Sequence, residues 1–145
     1  MKNKLIFSLF LLTSIPFIAQ QNITWDDLAD VKFTEKYYQE YGQYFLYPTF
    51  SESVKNLEGK QLTLTGYFLN LDPEGATYIL SKGPMASCFF CGVGGPETAV
   101  ELHFTSKPSF KTDDIITVTG VLELNADDPG HFNYIFRQSE GALFE

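Results

Sequence analysis

Basic side chains are scarce in this chain: ten Lys and Arg stand against eighteen Asp and Glu, a formal charge of −8. Affinity for nucleic acid is built on cationic contacts to phosphate, so a DNA or RNA partner is excluded, and an anionic membrane surface is disfavoured for the same reason. The N-terminal apolar run falls short of the ~20 residues that a membrane-spanning helix requires. Enzyme signatures are missing too. There is no G-x-S-x-G elbow, no H-E-x-x-H and no phosphate loop with its Lys-Ser/Thr pair, which removes the hydrolase, zinc-protease and nucleotide-binding classes these motifs would announce. Two cysteines permit one disulfide at most, and only two histidines and one tryptophan are present.

What is there begins with a basic Met1-Lys2-Asn3-Lys4, an apolar Leu5 to Leu12 interrupted only by Ser8, and a small residue at Ala19. Residues 1–19 read as an export signal cut after Ala19, which places the mature chain in the periplasm or outside the cell with no membrane span left. The remainder is one domain's length. Residues 20–60 form an N-terminal extension. Thr24 with Asp27 three residues on is close to a capping box, so a short helix starts at Trp25. Trp25 is expected as a core anchor in preference to a ligand platform. The aromatic stretch from Val31 to Pro48, with Gly42 near its middle, predicts a hairpin, with a helix over Glu35 to Tyr41 as second choice. Ser51 caps a second short helix that stops at Gly59.

Residues 61–145 alternate apolar and polar side chains in five segments: Gln61–Leu69, Ala76–Leu80, Ala99–Phe104, Ile115–Leu124 and Phe132–Phe136. Alternation at period two is the pattern of half-buried strands. A further edge is expected at Ala142–Phe144, and a turn at 72–75. In the third segment Val100, Leu102 and Phe104 face inward, with Glu101 and His103 outward. Gly66 and Gly120 sit inside strands, where glycine marks a bulge or a sharp bend. The fold class is therefore mainly β: a five-stranded barrel of the oligonucleotide/oligosaccharide-binding type with an N-terminal helix and hairpin extension, an open sandwich being the runner-up.

The stretch with the most chemistry is Met85 to Glu97, which holds Cys88 and Cys91 in a C-x-x-C spacing ahead of Gly92, Gly94, Gly95 and Pro96. Three readings stay open. A Cys88–Cys91 disulfide would staple a glycine-rich loop, contributing about 2 kcal/mol or less because the ring is short. Two thiolates are also half of a zinc or copper site, to be completed by His103, His131, Met85, Glu97 or a second chain. Thiol–disulfide exchange is the third, although no helix can readily start after Cys91 to activate a thiol. Haem attachment is excluded, because Gly92 stands where the motif needs histidine. The acidic pairs Asp113-Asp114 and Asp127-Asp128 read as turn and strand-start residues ahead of calcium ligands.

Ile23 to Ala29, Tyr47-Pro48-Thr49-Phe50-Ser51, Leu57 to Lys60 leading into Thr65-Gly66-Tyr67, and Met85 to Glu97 together resemble an uncharacterised family of small exported proteins of Bacteroidota-type bacteria. More distantly, the chain is similar to a domain of unknown function in exported proteins found beside transport systems of other Gram-negative bacteria, some linked to zinc regulation. The resemblance implies the same barrel type and an envelope location, and it supplies no catalytic residue. The expected function is an exported, non-enzymatic binding module whose cysteine loop is a disulfide staple or part of a zinc or copper site. Phe89 and Phe90 would form an apolar tip for docking to another envelope protein or a transport system. The alternative from another class is a periplasmic thiol–disulfide oxidoreductase.

Overall fold

The computed structural model describes residues 20–145 apart from positions 73, 75 and 76, so the export signal and half of the turn expected at 72–75 lie outside the described residues. Strand β1 (Gln21–Asn22) and helix α1 (Trp25–Leu28) lead into a hairpin of β2 (Val31–Tyr38) and β3 (Gln43–Phe50). Helix α2 (Glu52–Lys55) follows, and then the barrel strands β4 (Gln61–Asp72), β5 (Thr77–Ser81), β6 (Ala99–Phe104), β7 (Ile115–Leu124) and β8 (Tyr134–Leu143). Among the described residues no helix is long and apolar enough to cross a membrane.

Local chemistry accounts for the short elements. The Asp27 carboxylate accepts from the amide and hydroxyl of Thr24 at 2.7 and 2.8 Å, which ties off the start of α1. The Thr24 amide, then its hydroxyl, hold the Asp27 carboxyl below the usual range. At α2 the Ser51 hydroxyl accepts from the Val54 amide. The hairpin turns at Gly42, whose φ of +65° suits a residue without Cβ. Its tip carries the exposed Tyr37, Tyr41 and Tyr44, while Phe50 at its base is buried.

The barrel strands join in the order β4-β5-β6-β8-β7, and β7 pairs back onto β4 to close the cylinder. All these pairs are antiparallel except β6 with β8. Closure depends on the length of β4, which pairs with β7 over Gln61–Tyr67 and with β5 over Tyr67–Asp72. Its inward residues Leu62, Leu64 and Phe68 meet Leu80, Val100, Leu102, Ile116, Val118, Leu122, Tyr134 and Phe136 in one core. Ile23, Leu28, Phe50, Val54 and Leu57 belong to the same core, so the extension caps the barrel instead of standing apart from it. The Tyr134 hydroxyl, buried in that core, donates to the Leu28 carbonyl at 2.7 Å.

Two strand features differ from the sequence expectation. Gly66 is not a bulge, since its pairing with Ile116 is regular. It lies beside the handover of β4 from one partner to the other, and Trp25 packs over it. A Cβ there would come within 2.6 Å of the Ser81 carbonyl oxygen and 2.9 Å of the Trp25 ring. Trp25 is a core anchor, half-buried, with its indole N–H donating to the Thr65 carbonyl at 2.9 Å. Gly66→Ala is accordingly expected to cost about 1–3 kcal/mol, because the Ser81 oxygen is main chain in a paired strand and cannot step aside. Urea unfolding followed by the fluorescence of Trp25 checks this, the midpoint falling at unchanged slope.

The last strand is the second difference. The separate edge expected at Ala142–Phe144 is the far end of β8, which runs on past Phe136 to Leu143. The pairing slips between Thr119 and Val121, and Gln138 takes a φ of +52°. That bulge lets the strand turn the corner without the apolar alternation the sequence lacks there. Gly120 faces Phe136 so closely that a Cβ would lie 2.8 Å from the Phe136 Cβ. Phe132 stays outside the strand for a reason that belongs to the site.

Candidate metal site

Residues two apart on a strand share a face, so β6 presents Glu101 and His103 on the outside of the barrel while Val100 and Leu102 point in. The outward direction agrees with the sequence reading, but Glu101 is not solvated: it is only 8% exposed. The β7–β8 loop roofs it. Asn125 curls that loop by donating from Nδ2 to the carbonyls of Asp128 and Phe132 at 2.7 and 3.2 Å, and by accepting from the Asp128 amide. The Phe132 amide then donates to Glu101 Oε2 at 3.0 Å, and His131 Nδ1 sits 2.9 Å from Glu101 Oε1. His103 Nε2 reaches the same oxygen at 2.7 Å.

Burial pushes the Glu101 carboxyl up, yet the Phe132 amide and then His103 and His131 outweigh it and hold the group below the usual carboxylate range. An ionised carboxylate only accepts, so both imidazoles donate to Glu101. The outer side of His103 is held as well. Arg137 of β8 forks onto Glu123 of β7, Nε to Oε2 at 2.6 Å and Nη2 to Oε1 at 2.9 Å, and rests Nη1 against the His103 ring, 2.8 Å from Nδ1 and 3.4 Å from Nε2. The hydrogen bonds from Arg137 lower the Glu123 carboxyl, and those to Glu123 raise the Arg137 guanidinium.

Glu101, His103 and His131 offer one ligand atom each, all within 4.8 Å of one another. Donors bound at about 2.1 Å in a tetrahedron lie about 3.4 Å apart, so to share one ion the two imidazoles would part from Glu101 Oε1, now 2.7 and 2.9 Å away, and the widest separation would close. Two imidazoles and a carboxylate suit zinc or copper, with a further coordination position left open. The imidazoles are reachable: the side chains of His103 and His131 are 36% and 47% exposed. An open groove of about 590 Å³ beside Tyr78, His103, Phe104 and Lys107 flanks one side. An apolar groove of about 460 Å³ between Tyr44, Phe89, Phe90 and Phe132 flanks the other, where His131 forms part of the wall.

The cysteine loop lies apart from this cluster. Cys88 and Cys91 are both free thiols in this structure. A single 3₁₀ turn over Phe89–Cys91 carries them in different directions. Cys88 is buried with Leu69, Ile79 and Ala99 under the loop. Cys91 is exposed and donates from its thiol to the Met85 carbonyl at 3.1 Å. Neither belongs to the histidine cluster. Glu97 turns back to accept from the Gly95 amide, and the Met85 side chain packs against the Cys88 cluster. Phe90 is half-exposed, as an apolar tip requires, with its ring centroid 5.8 Å from that of Phe132. Sequence reasoning thus named both histidines and missed Glu101 and Arg137. The Glu-x-His spacing on an alternating strand was the available signal for the first, and nothing local pointed to the second.

No protein-family model and no curated protein matches the sequence. Among solved structures the chain is similar to a DUF3299 family protein (PA4066) from Pseudomonas aeruginosa PAO1, with 16% identity, a TM-score of 0.57, and coverage of 88% of this chain and 97% of that one. The two share a fold. That fold is one found in a domain of unknown function, which fits the coarser part of the resemblance read from the sequence.

Proposed function

We propose that this protein is an exported, non-enzymatic module, periplasmic or secreted, that binds zinc or copper through Glu101, His103 and His131. The observation that carries the reading is the convergence of three ligand atoms from two distant segments, β6 and the β7–β8 loop, on an accessible face. Position supports it, by analogy of fold: barrels of this type bind ligands on the face of their second and third strands and on the loop joining the fourth to the fifth, which here are β5, β6 and the loop carrying His131. The resemblance to exported proteins linked to zinc regulation favours zinc of the two. The cysteines are not needed as ligands.

Elemental analysis and calorimetric titration of the mature chain test this. One equivalent of zinc or copper is expected, lost in His131→Ala and retained in Cys88→Ser and Cys91→Ser. Metal that followed the cysteines and survived His131→Ala would transfer the site to the cysteine loop and end this reading.

A further inference from the structure

An open strand edge is a place where another chain can pair, and natural edges are commonly guarded by charged side chains. Among the described residues β2 and β3 pair only with each other, so the hairpin has an open edge on either side. The two are guarded unequally. β2 carries Lys32, Glu35 and Lys36, whereas β3 from Gln43 to Phe50 holds no charged residue. The apolar groove of about 460 Å³ is lined by Tyr44, Phe45 and Leu46 in succession and by no residue of β2. Consecutive residues of a strand point to opposite faces, so this groove follows the open edge of β3 and not one face of the hairpin.

Phe89 and Phe90 of the cysteine loop line the same groove, and Tyr44 and Phe90 are 65% and 51% exposed. An edge with apolar side chains beside it suits an extended polypeptide: the edge offers main-chain hydrogen bonds, and the apolar lining takes alternate side chains. Charge decides which polypeptide. No Lys or Arg lines the groove, while Glu35 pairs with Leu46 across the hairpin, Glu97 follows Pro96 and Asp128 precedes Pro129. None of these three carboxylates is in a salt bridge among the described residues. Lys36 is engaged elsewhere, 3.3 Å from Asp127 and over the rings of Tyr38 and Tyr47. We propose that the groove takes an extended segment of another protein, apolar at alternate positions and flanked by Lys or Arg, as a strand added to β3.

A second copy of this chain is the poorer occupant. Its own β3 has no cation to offer the three carboxylates, and pairing would set two chains of formal charge −8 side by side. A basic segment removes that repulsion and turns it into attraction. No metal ion is required, since of Glu101, His103 and His131 only His131 lines this groove.

An array of synthetic peptides tests this, each with threonines alternating with Val, Leu, Phe or Tyr in every combination and flanked by lysines or by glutamates. The mature chain is expected to bind lysine-flanked members at least about tenfold more tightly than their glutamate-flanked counterparts. With the best of them bound, amide hydrogen exchange should slow in β3 between Tyr44 and Tyr47, which a ligand resting on a sheet face would not produce. Leu46→Ala and Phe90→Ala should each weaken binding about fivefold or more. Phe144→Ala, equally exposed but outside the groove, should leave it unchanged. No binding by any lysine-flanked peptide, equal binding of both sets, or binding without slowed exchange in β3 overturns the inference. So does a concentration-dependent dimer in sedimentation that Leu46→Ala abolishes, which would give the edge to a second copy.

Discussion

Glu101→Gln is expected to lower zinc affinity by at least about 100-fold, since loss of an outer partner of a metal ligand alone costs 10–100-fold and Glu101 is a ligand itself. The same change is expected to destabilise the metal-free protein by about 1–3 kcal/mol, for a reason visible in the donor count. Oε1 accepts from both imidazoles and Oε2 accepts from the Phe132 amide. A carboxamide has one accepting oxygen and one donating nitrogen. With its nitrogen toward Phe132, donor meets donor in a covered position; with its nitrogen toward the imidazoles, both rings must carry their hydrogen on the other nitrogen in order to accept.

Acidity separates the two effects. The Glu101 carboxyl is held below the usual range in the folded state, so its contribution is fully present above its unfolded value of about 4.3 and is lost as the pH falls through the folded value. The stability gap between wild type and E101Q, measured by urea unfolding in the presence of a chelator, should therefore stay constant near neutrality. Below about pH 4 it should close. A gap unchanged down to the acid transition would mean that the carboxylate charge contributes nothing, and an E101Q protein with wild-type zinc affinity would remove Glu101 from the ligand set.

Phe68→Ala should have the largest effect on the fold, about 3–5 kcal/mol, a substantial share of the 5–15 kcal/mol that a domain usually possesses. Phe68 is 1% exposed. Its ring centroid lies 5.6 Å from those of Tyr78 and Phe110 and 6.3 Å from that of Phe104, so one side chain joins β4 to β5, β6 and the segment leading into β7. The backbone locks it there: the Phe68 amide donates to the Asp114 carbonyl and its carbonyl accepts from the Asp113 amide, both at 2.8 Å. With main chain pinned on both flanks the site cannot collapse to fill the void, which is the condition under which truncation costs most. Chemical denaturation checks this, and a loss below about 1.5 kcal/mol would show that the barrel interior repacks.

The two variants probe parts of the molecule that were unequally legible in the sequence. Phe68, Val100, Leu102, Ile116 and Val118 could be assigned to the core from alternation alone, because a strand with one face on a core must repeat every second residue. The capping residues Thr24, Asp27 and Ser51 and the turn glycine Gly42 were legible for the same kind of reason, each satisfying a requirement of its own few neighbours. Gly66 and Gly120 were recognisable as special positions, but their roles exchanged specificity: Gly120 marks a bulge, whereas Gly66 makes room for Trp25 and the main chain of β5. A local pattern shows that a Cβ is unwelcome and not what would meet it.

The candidate site illustrates the boundary most sharply. C-x-x-C is a motif because its two members are close in sequence, and Met85 to Glu97 drew attention for that reason. The cluster that the fold assembles instead takes Glu101 and His103 from one strand, His131 from a loop 30 residues beyond Glu101, and Arg137 from a strand whose far half carries no regular alternation. Alternation could say that Glu101 points away from the core. It could not say that the β7–β8 loop would cover it, or that the Phe132 amide would hold its charge.

By itself, then, the sequence determined the acidic surface, the mainly β class, the five strands and the inward residues that fill the barrel, because charge, strand periodicity and caps are properties of short stretches of chain. Only the tertiary structure decided which polar residues meet. Barrel closure brings β6 beside β8 and drops the β7–β8 loop onto Glu101, and hydrogen bonds between such distant groups depend on angles and distances that no local spacing encodes.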